Sequence, residues 1–353
     1  MSDPFEEPLP DLPPGWTARI PGGEDLADLV ALRAADGAPY TGYDGADEAA
    51  VWSEVAGQAS WTRRQLVVSD GDRLRGWVSV QDRAAGRTMV SLYLDRRARD
   101  RAAVASALYA WAAGQGAAIA RLRGLERTRM DASPYAEDVE QRAWLAAAGY
   151  EPRRRWLHMS RRVDPDELLP ALREGVSVRG VERHANGVPY ASDLQIVHRM
   201  LEESFQDHFN SYRESFPEFV QRLREDPGHR WDHWWVAFVA DGERAVPAGA
   251  IVCSVLAPDG SGAEGTYVDY IGVNRAARGR GVAKGLLYRV IADAAARGRN
   301  RVGLEVDADS PTQADALYAS MGWVADYATE SWFADVTGSS GRPLPPGGPV
   351  VEG

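Results

Sequence analysis

Two segments of this chain repeat one setting: Arg278-Gly279-Arg280-Gly281-Val282-Ala283 and, 179 residues earlier (278 − 99), Arg99-Asp100-Arg101-Ala102-Ala103-Val104. Each lies between a strand-like apolar run and a helix-like run. The register holds without gaps around the loop, where Val273 to Arg278 aligns with Leu94 to Arg99 and Leu287-Tyr288 falls on Leu108-Tyr109. Further on, Gly322-Trp323 matches Gly149-Tyr150 at an offset of 173 (322 − 149), so a short gap intervenes. A chain of 353 residues is larger than one hydrophobic core usually supports and fits two domains of about 150 residues. The repeat therefore reads as an internal duplication.

Short apolar runs between Gly/Asp turns, and helix-period runs between them, give each half the same order. In the first, a strand at Trp16 and helices through Ala56 precede strands Gln65–Ser69, Leu74–Gln81 and Thr88–Leu94. A helix from Ala98 to Gly114, a strand Ala118–Leu122, a helix Pro134–Ala148 and a closing β segment Tyr150–Val163 follow. The second half has a strand Val176–Val181, helices Tyr190–Glu203 and Phe216–Arg224, and strands Trp234–Ala240, Ala248–Leu256 and Gly265–Val273. It ends with the helix after Gly281, strand Val302–Val306, helix Gln313–Met321 and β segments from Trp323 to Val336. Asp164-Pro165-Asp166 is expected to cap a linker helix. The expected division is a disordered tail 1–15, domains 16–163 and 174–336, and a disordered tail 337–353.

A net charge of −11 argues against nucleic acid or an anionic membrane as partner and is compatible with a cationic one. No run approaches the ~18 apolar residues of a membrane span, and no export signal is legible, so the expected location is the cytoplasm. Cys253 is the single cysteine; it excludes an intramolecular disulfide and, in an apolar run, reads as a buried structural residue. His229, His233, Trp231, Trp234 and Trp235 cluster in sequence, but Pro227-Gly228 breaks a helical His pair, so packing is expected rather than a metal site. The other histidines show no metal pattern, and His208 is a low-ranked candidate to face an acceptor.

The small residues Gly279, Gly281 and Ala283 let backbone amides from Gly279 to Lys284 close on a diphosphate at the start of a helix. Arg278, Arg280 and Lys284 (the only lysine) add positive charge. The plainer alternative is a tight glycine turn entering a helix. The first copy has Asp100, Ala102 and Val104 instead. A carboxylate repels phosphate and a β-branched side chain crowds a close approach.

The second half resembles the GNAT acetyltransferase superfamily. Arg278, Gly281 and Ala283 match its acyl-CoA loop, Arg/Gln-x-x-Gly-x-Gly/Ala, after the apolar strand end Ile271-Gly272-Val273. About 40 residues on, Ala314-Asp315-Ala316-Leu317-Tyr318 followed by Gly322-Trp323 matches a second family pattern. The pair of halves is similar to tandem members of the mycothiol synthase type, to which Glu203 to Phe209 and Phe216 to Phe219 add a similar helical region; where that type carries a strand glutamate, this chain has Tyr267. The resemblance implies an α+β fold of two tandem GNAT domains around mixed sheets, the first degenerate and the second active. It also implies acetyl-CoA as co-substrate, no metal, and the primary amine of a small molecule as acceptor. Two alternatives stay open: a non-catalytic acyl-CoA sensor, and transfer to a protein or peptide amine.

By that resemblance, main-chain groups of Ile271 and Val273, with Gly272 between them, pair with the pantetheine arm, and Val282 and its neighbours bind the diphosphate. Ser310 stands where an asparagine usually contacts CoA, with Pro311 one extra residue. Tyr318 protonates the departing thiolate, which a phenol of pKa ~10 can do for a thiol of ~8.5; otherwise it is a core aromatic. Strand alternation puts Tyr267, Asp269, Ile271 and Val273 on one face. Asp269 is then either a general base or an aspartate at a strand end. Glu305, between Leu304 and Val306, is a base, a holder for a cationic acceptor, or a solvated glutamate. Tyr318 falls on Leu145 in the first half, which is expected not to catalyse.

Overall fold

The computed structural model describes residues 9–83, 86–205, 215–310 and 313–338. His208 and Pro311 lie outside them, as does Gln206 to Phe209 of the helical region. The chain forms two compact units, residues 1–157, 307–311 and 327–353 in the first and 158–306 and 312–326 in the second.

The first unit builds one sheet from β1 (Trp16–Arg19), β2 (Arg63–Asp70), β3 (Arg73–Arg83), β4 (Arg87–Leu94) and β5 (Arg127–Ala132). β1 to β4 run antiparallel in sequence order, and β5 joins β4 in parallel. Helices α1 (Leu26–Thr41) and α2 (Glu48–Val55) cover one face through Leu29, Leu32, Val51 and Val55 against Val67 and Trp77. Helix α3 (Arg101–Leu122) covers the other face, where Val104, Leu108 and Trp111 meet Val68, Val78, Leu92 and Leu94. Helix α4 (Val139–Ala147) adds Leu145 to that core.

The second unit repeats this plan. Strands β7 (Val176–Gly180), β8 (His229–Asp241), β9 (Arg244–Leu256) and β10 (Gly265–Val273) are antiparallel in order, and β11 (Arg301–Asp307) is parallel to β10. Helices α5 (Ala191–Phe205) and α6 (Phe216–Arg224) lie on one face. Leu194, Val197 and Leu201 recur at helical spacing and meet Trp234, Val236, Ala250 and Val252. Helix α7 (Val282–Ala296) lies on the other face, burying Leu286, Leu287, Val290 and Ile291. Full burial of such a side chain contributes about 1.5–3 kcal/mol.

The closing strands do not follow the linker. β12 (Val324–Thr337), last in the chain, pairs antiparallel with β5, from Trp332↔Ala132 to Thr337↔Arg127, inside the first unit. β6 (Glu151–Arg162) ends with residues 158–162 in the second unit, where it neighbours β11.

Several local expectations change. The strand expected at Ala118–Leu122 is the end of α3: Ala117, Ala118 and Ala120 favour helix, and nothing breaks it before Gly124 at φ 68. The strand forms at β5 instead. The expected linker helix is absent; Asp164 Oδ1 accepts from Asp166 N at 3.0 Å in a local turn, after which the chain runs irregularly to Glu174. Residues 9–15 are anchored rather than loose, with Leu12 packed on the first core and Trp16 N donating to Pro13 O at 3.1 Å. At the other end Gly338 N donates to Glu126 O at 2.8 Å. Among the described residues no helix is long and apolar enough to cross a membrane.

Candidate active site

The site grows out of a divergence between β10 and β11. They pair only from Thr266↔Val302 to Val268↔Leu304, and β10 then continues alone on that side to Val273. Asn274 N donates to Ala248 O at 2.9 Å, so Asn274, Gly272 and Tyr270 turn their backbone groups toward β9. By alternation, the amides and carbonyls of Ile271 and Val273 point to the side that β11 has left. Gly272 is a packing position: a Cβ there would stand 2.8 Å from Ser204 Oγ of α5.

A β-bulge between Val268 and Tyr270 makes Asp269 the extra residue of the strand. The bulge corrects the expected alternation. Tyr267 pairs with Ser254 and Asp269 accepts from Ser254 Oγ at 3.2 Å, which places these three on the face of α5 and α6. Beyond the bulge Ile271 and Val273 turn to the α7 face, Val273 opposite Gly249, whose Cβ position lies 3.0 Å from Val282. Tyr270 instead takes the α5 and α6 face, where its hydroxyl accepts from Arg222 Nη1 at 2.6 Å.

Burial, helped by the carboxylate of Asp226, pushes the Asp269 carboxyl up to about 8, against the lowering effect of the Ser254 hydrogen bond. Asp269 as a whole is half-buried. Glu305, exposed on β11, shares the face of Gly303 and Tyr267 and lies 3.6 Å from His158 Nε2. Burial lowers His158 to about 4, so the imidazole is neutral near pH 7 and that contact is not an ion pair.

The glycine loop follows β10 through Arg275–Ala277, a short 3-10 turn held by Asn274 Oδ1 accepting from Ala276 N at 2.9 Å. Gly279 (φ 79) and Gly281 (φ 86) both adopt the left-handed conformation that favours glycine. The first bond of α7 runs from Gly285 N to Gly281 O at 2.9 Å, leaving the amides of Val282, Ala283 and Lys284 without intrahelical acceptors. A Cβ at Gly279 would meet nothing within 4 Å. Lys284 is exposed beside these amides. Arg280 is directed elsewhere, its Nη2 donating to Ala240 O at 3.2 Å.

Tyr318 lies on α8 (Ala314–Ser320) in the second unit, 7% exposed, its ring centroid 6.0 Å from that of Trp323. Burial pushes its phenol up to about 12. Ser310 falls in the segment 307–311, which groups with the first unit. Cys253 is fully buried, and burial raises its thiol well above the ordinary value. Trp234, Trp231 and His229 form an edge-to-face cluster with centroids 4.4–5.6 Å apart, and His233 is buried with Nδ1 2.6 Å from Asp232. Among the described residues no three His, Cys, Asp or Glu side chains are grouped to hold a metal ion.

The first unit offers the same frame, filled from within. β4 and β5 pair only from Arg87↔Arg129 to Met89↔Asp131 and then separate. Asp95 N donates to Arg75 O at 2.7 Å, so Leu92, the counterpart of Ile271, turns its carbonyl into the gap. Gln141 Nε2 of α4 donates to that carbonyl at 2.9 Å. Asp100 takes the left-handed turn of Gly279 at φ 55, but Ala102, the counterpart of Gly281, is already helical. Trp323 N to Tyr318 O (3.1 Å) repeats Tyr150 N to Leu145 O (3.0 Å), fixing the offset of 173 that sets Ala314 opposite Gln141. Sequence reasoning missed Gln141, although the same offset, read off the two glycine-aromatic pairs, pointed to it.

Residues 197–323 match the family model described as Acetyltransferase (GNAT) family. Over that segment the chain is similar to the GNAT acetyltransferases. The whole chain is similar in fold to a GCN5-related N-acetyltransferase from Sphaerobacter thermophilus, at 22% identity and TM-score 0.69, covering 92% of this chain and 97% of that one. It is likewise similar to a tandem GNAT protein from the clavulanic acid biosynthesis pathway, at 16% identity and TM-score 0.64, covering 92% and 99%. No curated protein sequence matches. The fold is thus that of two tandem GNAT domains, and acyl transfer is the activity of the matched family.

Proposed function

We propose that the chain is an N-acetyltransferase that moves the acetyl group of acetyl-CoA to the primary amine of a small molecule, with the second unit as its catalytic half. One observation carries this reading. Among the described residues nothing pairs with the strand edge at Ile271 and Val273, whereas its counterpart at Leu92 is taken by Gln141. An open strand edge suits the amide-bearing pantetheine arm, and the unpaired amides of Val282 to Lys284 suit the diphosphate.

The amine nitrogen attacks the thioester carbonyl, forming the C–N bond as the C–S bond breaks. Asp269, with its carboxyl near 8, takes the proton the attacking nitrogen must lose, and Glu305 on the same face attracts a cationic acceptor. Tyr318, held protonated at working pH, donates to the departing sulfur. Burial raises a thiol as it raises a phenol, which narrows the gap between donor and acceptor. The products are an acetamide and the CoA thiol. The buried, high-pKa thiol of Cys253 supports direct attack over an acyl-cysteine intermediate.

The test is acetyl-CoA-dependent thiol release with a panel of primary amines. Amine-dependent release that falls sharply in Tyr318→Phe is the expected result. Tight acetyl-CoA binding with no release for any amine would replace this reading by a sensor.

A further inference from the structure

Resting on the acetyl-CoA reading above, we infer that Arg173, in the segment leading into β7, is a diphosphate-binding residue of the site. Its Nη1 donates to Gly279 O at 2.9 Å, and its stem lies over Gly281, so that a Cβ there would stand 2.8 Å from Cδ and 3.2 Å from Nε. Leu172 holds the segment down, 3.0 Å from the Cβ position of Gly285 on α7. One bond uses one donor of a five-donor fork, and among the described residues Arg173 has no carboxylate partner. An unpaired guanidinium therefore sits on the two left-handed glycines, beside the amides of Val282 to Lys284. Arg280, the loop arginine that could have supplied that charge, is tied to Ala240 instead.

The first unit supplies the contrast. The turn before its first strand is the same turn: Trp16 N to Pro13 O (3.1 Å) repeats Val176 N to Arg173 O (3.0 Å), and Gly15 (φ 86) repeats Gly175 (φ 75). Leu12-Pro13-Pro14-Gly15 thus stands opposite Leu172-Arg173-Glu174-Gly175, with Pro13 in the place of Arg173. There the cation runs the opposite way. Arg99 of the loop reaches Pro14 O at 3.2 Å and is neutralised by Asp70 at 2.8 Å. The unit that keeps both loop glycines receives a free cation from its entry turn, and the unit that lost them has proline there and a spent arginine.

Acetyl-CoA and dephospho-CoA binding to the intact chain, followed by calorimetry, tests this. Arg173→Ala is expected to weaken both ligands about 10-fold, as for an exposed charge-assisted contact to phosphate, and more at low than at high salt. Arg289→Ala, an exposed arginine farther along α7, is expected to leave both unchanged. Equal affinity of Arg173→Ala and the parent overturns the inference, as does tighter binding, which would make Arg173 a plug. A loss seen with acetyl-CoA but not dephospho-CoA overturns the diphosphate assignment in favour of the 3′-phosphate. Failure of the parent chain to bind either ligand would instead sink the acetyl-CoA reading itself.

Discussion

The two units share strand order, the parting of a parallel strand pair after three residues, and matching backbone hydrogen bonds around loop and helix. They differ in what occupies the space so created. In the first, Gln141 satisfies the Leu92 carbonyl that β5 leaves without a strand partner, Leu145 and Tyr150 fill the core, and Arg99 is paired with Asp70. In the second, the counterparts are Ala314, Tyr318 and Trp323, and Arg173 at the loop bonds Gly279 O and has no carboxylate partner among the described residues. An open strand edge is costly unless something binds it, because buried backbone groups need partners. One unit has met that demand internally through Gln141; in the other, no described residue meets it.

The most severe way to erase this contrast is to put a carboxylate into the loop of the second unit. Gly281→Asp puts a side chain on a residue at φ 86, where it meets Arg173 and sets a carboxylate beside phosphate. Strain of ~1–2 kcal/mol plus repulsion predicts a loss of acetyl-CoA affinity of about 100-fold or more. Undiminished affinity would remove the loop from the site. Ala314→Gln, which transplants the Gln141 plug, is expected to cost affinity of similar order by satisfying the open edge from within. Retained affinity in that variant would mean that the edge is not where the cofactor arm binds.

Tyr318→Phe separates chemistry from binding. Turnover at saturating substrate is expected to fall ~100-fold, the usual worth of a positioned proton donor, with acetyl-CoA affinity unchanged. Leu145, its counterpart, carries no such group. Unchanged turnover would reduce Tyr318 to the core aromatic that its 7% exposure also permits.

Asp269 gives a pH signature. Its folded-state carboxyl titrates near 8 against an ordinary 3.8, so the basic form, and with it the rate, is expected to rise with pH through about 8. Stability runs the other way. A raised folded-state value contributes stability that is complete below about 3.8 and is lost as pH rises through about 8. Asp269→Asn is therefore expected to flatten the rate profile while melting at least ~3 °C higher than the parent above pH 8. A parent profile already flat from pH 6 to 9 would exclude Asp269 as the base.

Much of this arrangement is legible in the chain itself. The loop glycines and most strands and helices follow from local signals, because φ > 0 demands glycine and apolar period reports the element; Tyr318 is singled out only by the family resemblance. What escaped has a nonlocal cause. The bulge at Asp269, which turned Ile271 and Val273 to the other face, depends on register with β9, and no residue type announces it. Residues 118–122 read as a strand because a short apolar run has no period of its own, and only the absence of a breaker extends the helix. The exchange of closing strands leaves no local trace, since β6 and β12 have the same pattern whichever sheet they join. Arg173 looked like part of a linker because its partner, Gly279, is 106 residues away.

The smallest expected effect tests whether the first unit can be reopened. Gln141→Ala removes the donor to Leu92 O and leaves a carbonyl in the gap without that partner, at a cost of about 1–2 kcal/mol of stability. Opening the edge alone should not create a second acetyl-CoA site, because Ala102 is helical where Gly281 is left-handed, and Asp100 and the Asp70-paired Arg99 offer no net positive charge. Calorimetry is expected to return one site per chain for both parent and variant, with the variant melting slightly lower. Two sites in the variant would show that a single side chain, and not the loop, keeps the first unit silent.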